Sequence, residues 1–127
     1  MKTILFIAVA VVAIGSTLAP HVTLAQQAGS KRSDLQRHDL SAPGREVIQV
    51  RVDFDPGYVA PMHTHPGEEI IYVIEGTLEY EIGGKKSRVK AGDVLFVPAH
   101  TVHRFEQFSE DLVTWAVFWG PPGGEAT

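Results

Sequence analysis

The pattern of hydrophobic and polar positions after residue 45 is that of short β-strands. From Glu46 to Phe54 apolar and polar residues alternate, which places one side of a strand against a core, and Asp55-Pro56-Gly57 ends it as a turn. Further apolar or alternating runs occupy residues 70–74, 78–82, 87–90, 94–97, 103–108 and 112–119. No helical period of adequate length occurs between residues 26 and 127. The pattern therefore predicts an all-β fold, either a sandwich or a small jelly-roll barrel that closes its own edges.

Two of these runs also predict how the strand is buried or how it is connected to the next strand. Ile70–Ile74 (IIYVI) is apolar at every position, which favours a strand covered on both faces rather than one that is half exposed. Residues 78–82 alternate leucine, tyrosine and isoleucine with glutamate, and Gly83-Gly84 then provides a two-residue hairpin turn. The basic residues that follow, Lys85, Lys86, Arg88 and Lys90, are expected to form a solvated face of the hairpin.

The two ends of the chain differ from this strand-rich body. Lys2, the apolar run Ile4–Ile14 and the small residues up to Ala25 are typical of a secretory signal peptide, residues 1–25, which is cleaved before Gln26. The run is shorter than the roughly 20 apolar residues of a membrane-spanning helix, so an uncleaved anchor is the less favoured alternative. We expect an exported protein, periplasmic or extracellular, with no membrane attachment after cleavage. Residues 26–34 predict a flexible leader, 35–119 a single β-barrel domain and 120–127 a disordered tail.

Charge and cysteine content narrow the choice of partners. The chain of 127 residues has a formal charge of −4, and removal of Lys2 with the signal peptide changes this to −5. A mildly acidic surface argues against nucleic acid as a partner, since such proteins usually present a basic face. The sequence has no cysteine, so no disulfide can support the exported domain. Its stability must come from the core, from subunit contacts or from a bound ion.

The chemistry of the chain is concentrated around the stretch MHTHPGEE, residues 62–69. His63 and His65 are two residues apart, so in an extended strand both imidazoles project to the same side. Glu69 has the same parity after the Pro66-Gly67 turn, whereas Glu68 should face the opposite way. His103 on a later strand can supply a third imidazole. Three neutral nitrogens and one carboxylate suit a divalent transition metal, and an octahedral ion would keep two positions for water, substrate or dioxygen.

The spacing of these residues resembles that of the cupin superfamily. The first cupin motif is matched by Gly57, His63, His65, Glu69 and Gly76, and the second by Gly92, Pro98 and His103. The resemblance covers roughly residues 47–117 and implies a small, single-domain jelly-roll β-barrel, also called a double-stranded β-helix. It further implies one metal ion inside the barrel, held by His63, His65, Glu69 and His103, and a homodimer.

Two positions depart from the second cupin motif. His100 stands where the family usually has glycine, and Gln107 stands where it usually has asparagine. Because glycine relaxes a tight backbone, His100 is expected to need an uncommon conformation or a slightly different turn. Neither change removes a ligand, and we otherwise treat His21, His38 and His100 as ordinary surface or core residues.

The family includes enzymes and binding proteins, so its fold does not choose a function. Our first hypothesis is a metal-dependent enzyme, dioxygenase-like, that acts on a small organic or phenolic molecule, with Glu69 also acting as a base. Iron or manganese is the favoured metal, and nickel, copper, zinc or cobalt are the others that these ligands accept. The alternative is a non-enzymatic exported protein that binds a small ligand or a metal, and a third hypothesis is a barrel without metal. Beyond the ligands, only His100 and Glu75 offer a further acid or base.

Overall fold

The computed structural model describes residues 29–123. Within this range the secondary structure is all β, and no helix there is long and apolar enough to cross a membrane. The expected signal peptide, residues 1–25, lies outside the described residues. The strands are β1 Ser30–Asp39, β2 Glu46–Phe54, β3 Glu68–Glu75, β4 Thr77–Ile82, β5 Lys85–Lys90, β6 Val94–Val97, β7 His103–Glu106 and β8 Val113–Gly120.

The strands form two antiparallel sheets that share one core. The larger sheet has the order β1-β2-β8-β3-β6, and the smaller has the order β5-β4-β7. Leu78 and Phe105 of the smaller sheet belong to the same buried cluster as Val50 and Ile71 of the larger one. Burying each such side chain contributes about 1.5–3 kcal/mol. This two-sheet architecture confirms the jelly-roll fold expected from the sequence.

The central strands follow the pattern predicted for them. Strand β2 has the predicted bounds and buries Ile48 and Val50 on the expected face. The Gly83-Gly84 turn joins β4 to β5 with both glycines at positive φ, 56° and 78°, as a two-residue hairpin of this kind requires. The predicted solvated face is also present, since Lys86 forms ion pairs with glutamates of the neighbouring strands β4 and β7.

Residues 30–34 belong to a strand, which corrects the flexible leader expected over residues 26–34 for that part of the segment; residues 26–28 lie outside the described range. From Ser30 onward the chain forms β1, which pairs with β2 along its length with one irregularity near residue 35. An edge strand of this kind is held by main-chain hydrogen bonds, so it needs no apolar alternation for the sequence to display. The tail is likewise ordered at its start: Gly120 ends β8, and the amide of Gly123 donates a 2.7 Å hydrogen bond to the buried Glu46. Residues 124–127 lie outside the described range.

Strand β3 is buried on one face only, so the prediction of a strand covered on both faces is wrong within a single chain. Glu69, Ile71 and Val73 point into the barrel and are buried. Ile70 and Tyr72 point outward and are more than a third exposed. The outward face of β3 therefore adds apolar surface to the outside of the larger sheet.

Both departures from the second motif adopt left-handed backbone conformations. His100 has φ 61° and Gln107 has φ 53°, and no other non-glycine residue of the described range has positive φ. This confirms that His100 needs an uncommon conformation. A left-handed conformation costs a residue with a Cβ about 1–2 kcal/mol, whereas glycine adopts it freely.

We predict that His100→Gly raises the free energy of unfolding by up to about 1 kcal/mol, because relief of the backbone strain exceeds the added chain entropy of glycine. His100→Val should lower it, because a β-branched residue tolerates positive φ poorly. The matched control is His38→Gly in the extended strand β1, which should destabilise by about 0.5–1 kcal/mol. Urea unfolding of the metal-free proteins measures all three, and equal destabilisation by the two glycine variants would contradict the prediction.

Candidate metal centre

Main-chain hydrogen bonds bring the histidines together from distant parts of the chain. His63 and His103 form an isolated antiparallel bridge, with reciprocal N–H to carbonyl bonds of 3.0 Å each. The amide of His100 donates a 2.8 Å bond to the carbonyl of His65. The segment before β3 is thereby attached to the start of β7, and the side-chain positions follow from this pairing.

Glu69 reaches the same place from β3 because the turn that precedes it packs tightly. A Cβ at Gly67 would lie 2.4 Å from the carbonyl oxygen of Trp119, so only glycine lets this turn approach β8 so closely. Glu69 is buried, whereas Glu68 is half-buried and has the opposite parity. The parity argument for choosing Glu69 over Glu68 thus agrees with the geometry.

The structure brings three of the four expected ligands into one cluster and places the fourth, Glu69, beside two of them. One side-chain nitrogen from each of His63, His65 and His103 lies within 4.8 Å of the other two. The Glu69 Oε2 atom is 3.1 Å from the His103 Nε2 atom and 3.7 Å from the His65 Nε2 atom. Two ligands bonded to one ion at about 2.1 Å can be at most about 4.2 Å apart. The three nitrogens therefore fit a single ion after their widest pair closes by about half an ångström, and Glu69 already lies within the limit of about 4.2 Å from two of them.

Hydrogen bonds at Nδ1 set the orientation of two of the imidazoles. His63 Nδ1 lies 2.8 Å from the Pro61 carbonyl, and His103 Nδ1 lies 2.9 Å from the Thr101 carbonyl. A carbonyl can only accept, so each Nδ1 carries the proton and donates it. Each Nε2 is then the nitrogen that is available to a metal ion.

The cluster is buried beneath apolar neighbours. His103 is fully buried, with 0% of its surface exposed, and His65 and Glu69 are nearly so. Glu69 pairs across the sheet with Val97 on one side and Phe118 on the other, and it is only 5% exposed. An ionised carboxylate in such surroundings is costly unless a cation or hydrogen-bond donor faces it. Here the histidines face the carboxylate, and a metal ion bound between them would stabilise its negative charge further.

The pKa of His103 is raised above its ordinary value of 6.5 by a balance of opposing effects. Burial lowers it, but the hydrogen bond to Glu69, the bond to the Thr101 carbonyl and the charge of Glu69 together raise it more. Glu69 therefore favours the protonated form of His103, and a metal ion that binds Nε2 must displace any proton held there.

The cluster opens into a cavity of about 810 Å³. Its walls are mainly aliphatic and aromatic, and its polar lining includes Thr64 and Thr114. The principal apolar lining residues are Val50, Val52, Phe54, Ala60, Phe105, Ala116 and Phe118. Neither His100 nor Glu75 lines this cavity, so the structure does not support them as an additional acid or base. Both are exposed.

The cavity also contains residues that the sequence did not indicate. Ser30 and Arg32 of β1 line it, together with Tyr58 from the loop after β2. No apolar alternation marks β1, and the two residues fall in the segment expected to be a leader. Only the pairing of β1 with β2 reveals that they face the cavity.

Comparison with known proteins identifies the same fold. The family model described as "Cupin domain" matches residues 50–119, more than half of the chain. A germin-like protein of Ipomoea nil is 46% identical over 61 residues, which cover 43% of this chain and 28% of the relative. An acireductone dioxygenase of Dictyostelium discoideum is 31% identical over 91 residues, which cover 68% of this chain and 57% of the relative.

One solved structure has a similar fold. KdgF from Halomonas sp. superimposes with a TM-score of 0.55 at 29% identity, over 67% of this chain and 87% of that one. The chain spans less than two thirds of the length of the curated relatives that it matches.

We predict that metal affinity falls as the pH is lowered through the raised pKa of His103, and so begins to fall above pH 6.5. Each proton that must be displaced makes the affinity fall about tenfold per pH unit below that pKa. In the metal-free protein the sign is opposite: the His103–Glu69 pair contributes stability that is complete below pH 6.5 and is lost as the pH rises through the raised pKa.

Calorimetric titration with Zn²⁺ in buffers of different ionisation enthalpy would count the protons released, and we expect at least about one near pH 6.5. A His38→Ala variant, altered far from the cluster, should give the same proton count. An affinity that stays constant down to strongly acidic pH would contradict ligation by these histidines.

Proposed function

The chain belongs to the cupin family, and we propose that it is a metal-dependent enzyme of the dioxygenase type that acts on a small organic or phenolic molecule. The observation that carries this proposal is the cluster of three histidines beside Glu69, of which His63, His65 and Glu69 line a cavity large enough for such a molecule and His103 lies buried behind them. The similarity to an acireductone dioxygenase supports the reaction class. Residues 1–25 support export of the mature protein.

The ligands proposed for the ion are His63, His65, Glu69 and His103. Iron or manganese is the metal we favour, and nickel, copper, zinc or cobalt would also accept three imidazoles and a carboxylate. When bound, such an ion would supply a positive centre that polarises a substrate oxygen and, if it is redox-active, reacts with dioxygen.

The residues of the chain would do the remaining work. The carbonyls of Pro61 and Thr101 hold two imidazoles with Nε2 toward the cluster. Glu69 is the only carboxylate among the described residues that line the cavity, so it is our candidate for the base that takes a proton from a bound substrate. The apolar walls limit the water that could compete for the substrate.

One observation favours the alternative of a non-enzymatic binder. Apart from the expected ligands and the cation Arg32, the only ionisable side chain in the described lining is that of Tyr58. An enzyme built on this cavity must therefore use Glu69 both as ligand and as base, whereas a protein that only binds a small ligand needs no base. Product formation distinguishes the two.

The outer face of the larger sheet supports the proposal of a homodimer. Its exposed apolar residues lie side by side because β3 pairs with β6 and β8: Ile70 faces Phe96, Tyr72 faces Val94, and Glu68 faces Trp119. Val94 is 61% and Phe96 57% exposed in the single chain. A contiguous apolar patch of this kind is typical of a subunit interface, and a second copy would cover both outward faces at once.

We predict that Phe96→Glu converts the protein to a monomer, since a charge in the centre of a two-fold interface faces its own copy without a partner. Sedimentation equilibrium measures the change. Leu35→Glu, at an exposed apolar position of β1, is the matched control and should leave the assembly unchanged. A wild-type protein that is monomeric at every concentration would refute the dimer.

We predict that His103→Ala removes bound metal and turnover together. Its metal affinity should fall at least about 100-fold, because a buried ligand is lost and its partner Glu69 is left without it. Metal content is measured on protein purified from its own host, with the mature N-terminus sequenced in the same preparation to test cleavage before Gln26. Oxygen consumption is then followed with a panel of phenols and dicarboxylates.

His38→Ala is the control and should retain both metal and turnover. Ligand binding without product would favour the non-enzymatic binder. A purified protein that holds no metal and whose melting temperature does not respond to chelator would refute the proposed centre.

A further inference from the structure

The edge strand β1 presents polar residues to the inside of the barrel. Ser30 pairs with Phe54 and Arg32 pairs with Val52, so each shares its partner's face of the sheet. That face of β2 also contains the core residues Ile48 and Val50. The Arg32 side chain is 40% exposed and also lines the cavity, so this edge strand places a charged group where the cavity meets the solvent.

Arg32 lies close to the histidine cluster. Its guanidinium carbon is 6.0 Å from the centre of the Phe118 ring, and that ring is centred 4.9 Å from the ring of His65. One aromatic ring therefore lies between the guanidinium and the cluster. Arg32 and His65 both line the same cavity, so a small molecule lying along Phe118 can contact both side chains.

The charges of the cavity favour an anion at this end. Arg32 is the only lysine or arginine among the described residues that line it, and Glu69, the only carboxylate, is engaged by His103. A divalent ion beside Glu69 would leave the cavity with a net positive charge, although the whole chain is acidic. The cavity thus differs in sign from the protein around it, which favours entry of negatively charged molecules.

The ion pair between Arg32 and Asp34 does not prevent Arg32 from binding an anion. Arg32 Nε donates a 2.8 Å hydrogen bond to Asp34, whose side chain is 77% exposed and therefore well solvated. A guanidinium has five N–H donors in a planar fork and can contact a second carboxylate beside the first. Binding of an anion here requires only the charge of Arg32 and its position at the cavity.

We propose that Arg32 binds the carboxylate of the substrate, and that the substrate class is a small carboxylic acid with an aromatic or apolar body. The body would pack against Phe118, and the far end would reach the histidine cluster. The contact at the far end rests on the proposed function, whereas the contact with Arg32 does not require the metal.

The test compares 4-hydroxyphenylacetate with its neutral amide, 4-hydroxyphenylacetamide, which has almost the same shape. Calorimetry measures both dissociation constants for the metal-free and the Zn²⁺-loaded protein. Wild-type protein should prefer the acid by roughly tenfold, the size expected of a hydrogen bond to a charged group. Arg32→Gln should abolish the preference, and Arg32→Lys should keep part of it, since lysine retains the charge and loses the fork.

Lys31→Gln is the matched control, because it removes the same charge from the adjacent residue, which has the opposite parity on β1. It should leave the preference unchanged, and unaltered melting temperatures confirm that the variants fold. The preference of the wild type should also shrink with added salt, as solvent-accessible charge pairs are screened.

Three results would overturn the proposal: failure of the wild type to bind either probe, binding of both with equal affinity, or an acid preference that survives Arg32→Gln. If that surviving preference disappears in His103→Ala instead, the carboxylate binds the metal, and the proposed function stands without this inference. If the acid preference persists in metal-free protein but no turnover is found, the inference stands and the enzymatic proposal fails.

Discussion

The burial of the Glu69 carboxylate is the interaction on which the rest of the site depends. Its strand neighbours, Val97 and Phe118, are apolar and buried, so the cost of removing its charge from water must be offset locally. The histidines are the groups that offset it, with His103 at 3.1 Å. A cation bound among the histidines would offset this cost further. Metal binding at this site would then add to the stability of the fold.

Rigid backbone pairing makes this coupling specific. The reciprocal bonds between His63 and His103 and the bond from His100 to His65 fix three ligand backbones relative to one another. The carbonyls of Pro61 and Thr101 then fix two of the rings. Because main-chain bonds and turns set this geometry, it withstands changes at the exposed surface. The unusual φ of His100 is part of the same turn, whose amide must point toward His65.

The sequence predicted the parts of this structure in which side-chain pattern determines position. Alternation of apolar and polar residues predicted strands β2 and β6, turn residues predicted the Gly83-Gly84 hairpin, and motif spacing predicted the cluster of His63, His65 and His103. Strand β1 was missed because an edge strand held by main-chain hydrogen bonds needs no such side-chain pattern. The exposed face of β3 was misjudged for a related reason. An apolar position indicates only that a side chain avoids water, and the same pattern can arise from a core or from a partner subunit.

The two ends of the cavity, one at the histidines and the other at Arg32, are built in different ways. The end of the cavity that contains the histidines is held in place by core packing, tight turns and main-chain pairing. Substitutions there therefore affect the fold as well as the site. The Arg32 end lies on a strand whose side chains are mostly exposed, and its pairing with β2 does not depend on which side chains it has. If Arg32 binds a ligand carboxylate as proposed, changing it would alter which molecule the cavity accepts and leave the histidine cluster in place. Under this proposal, ligand selection and the candidate metal centre rest on different residues, so changes in one edge strand would suit the cavity to a different ligand.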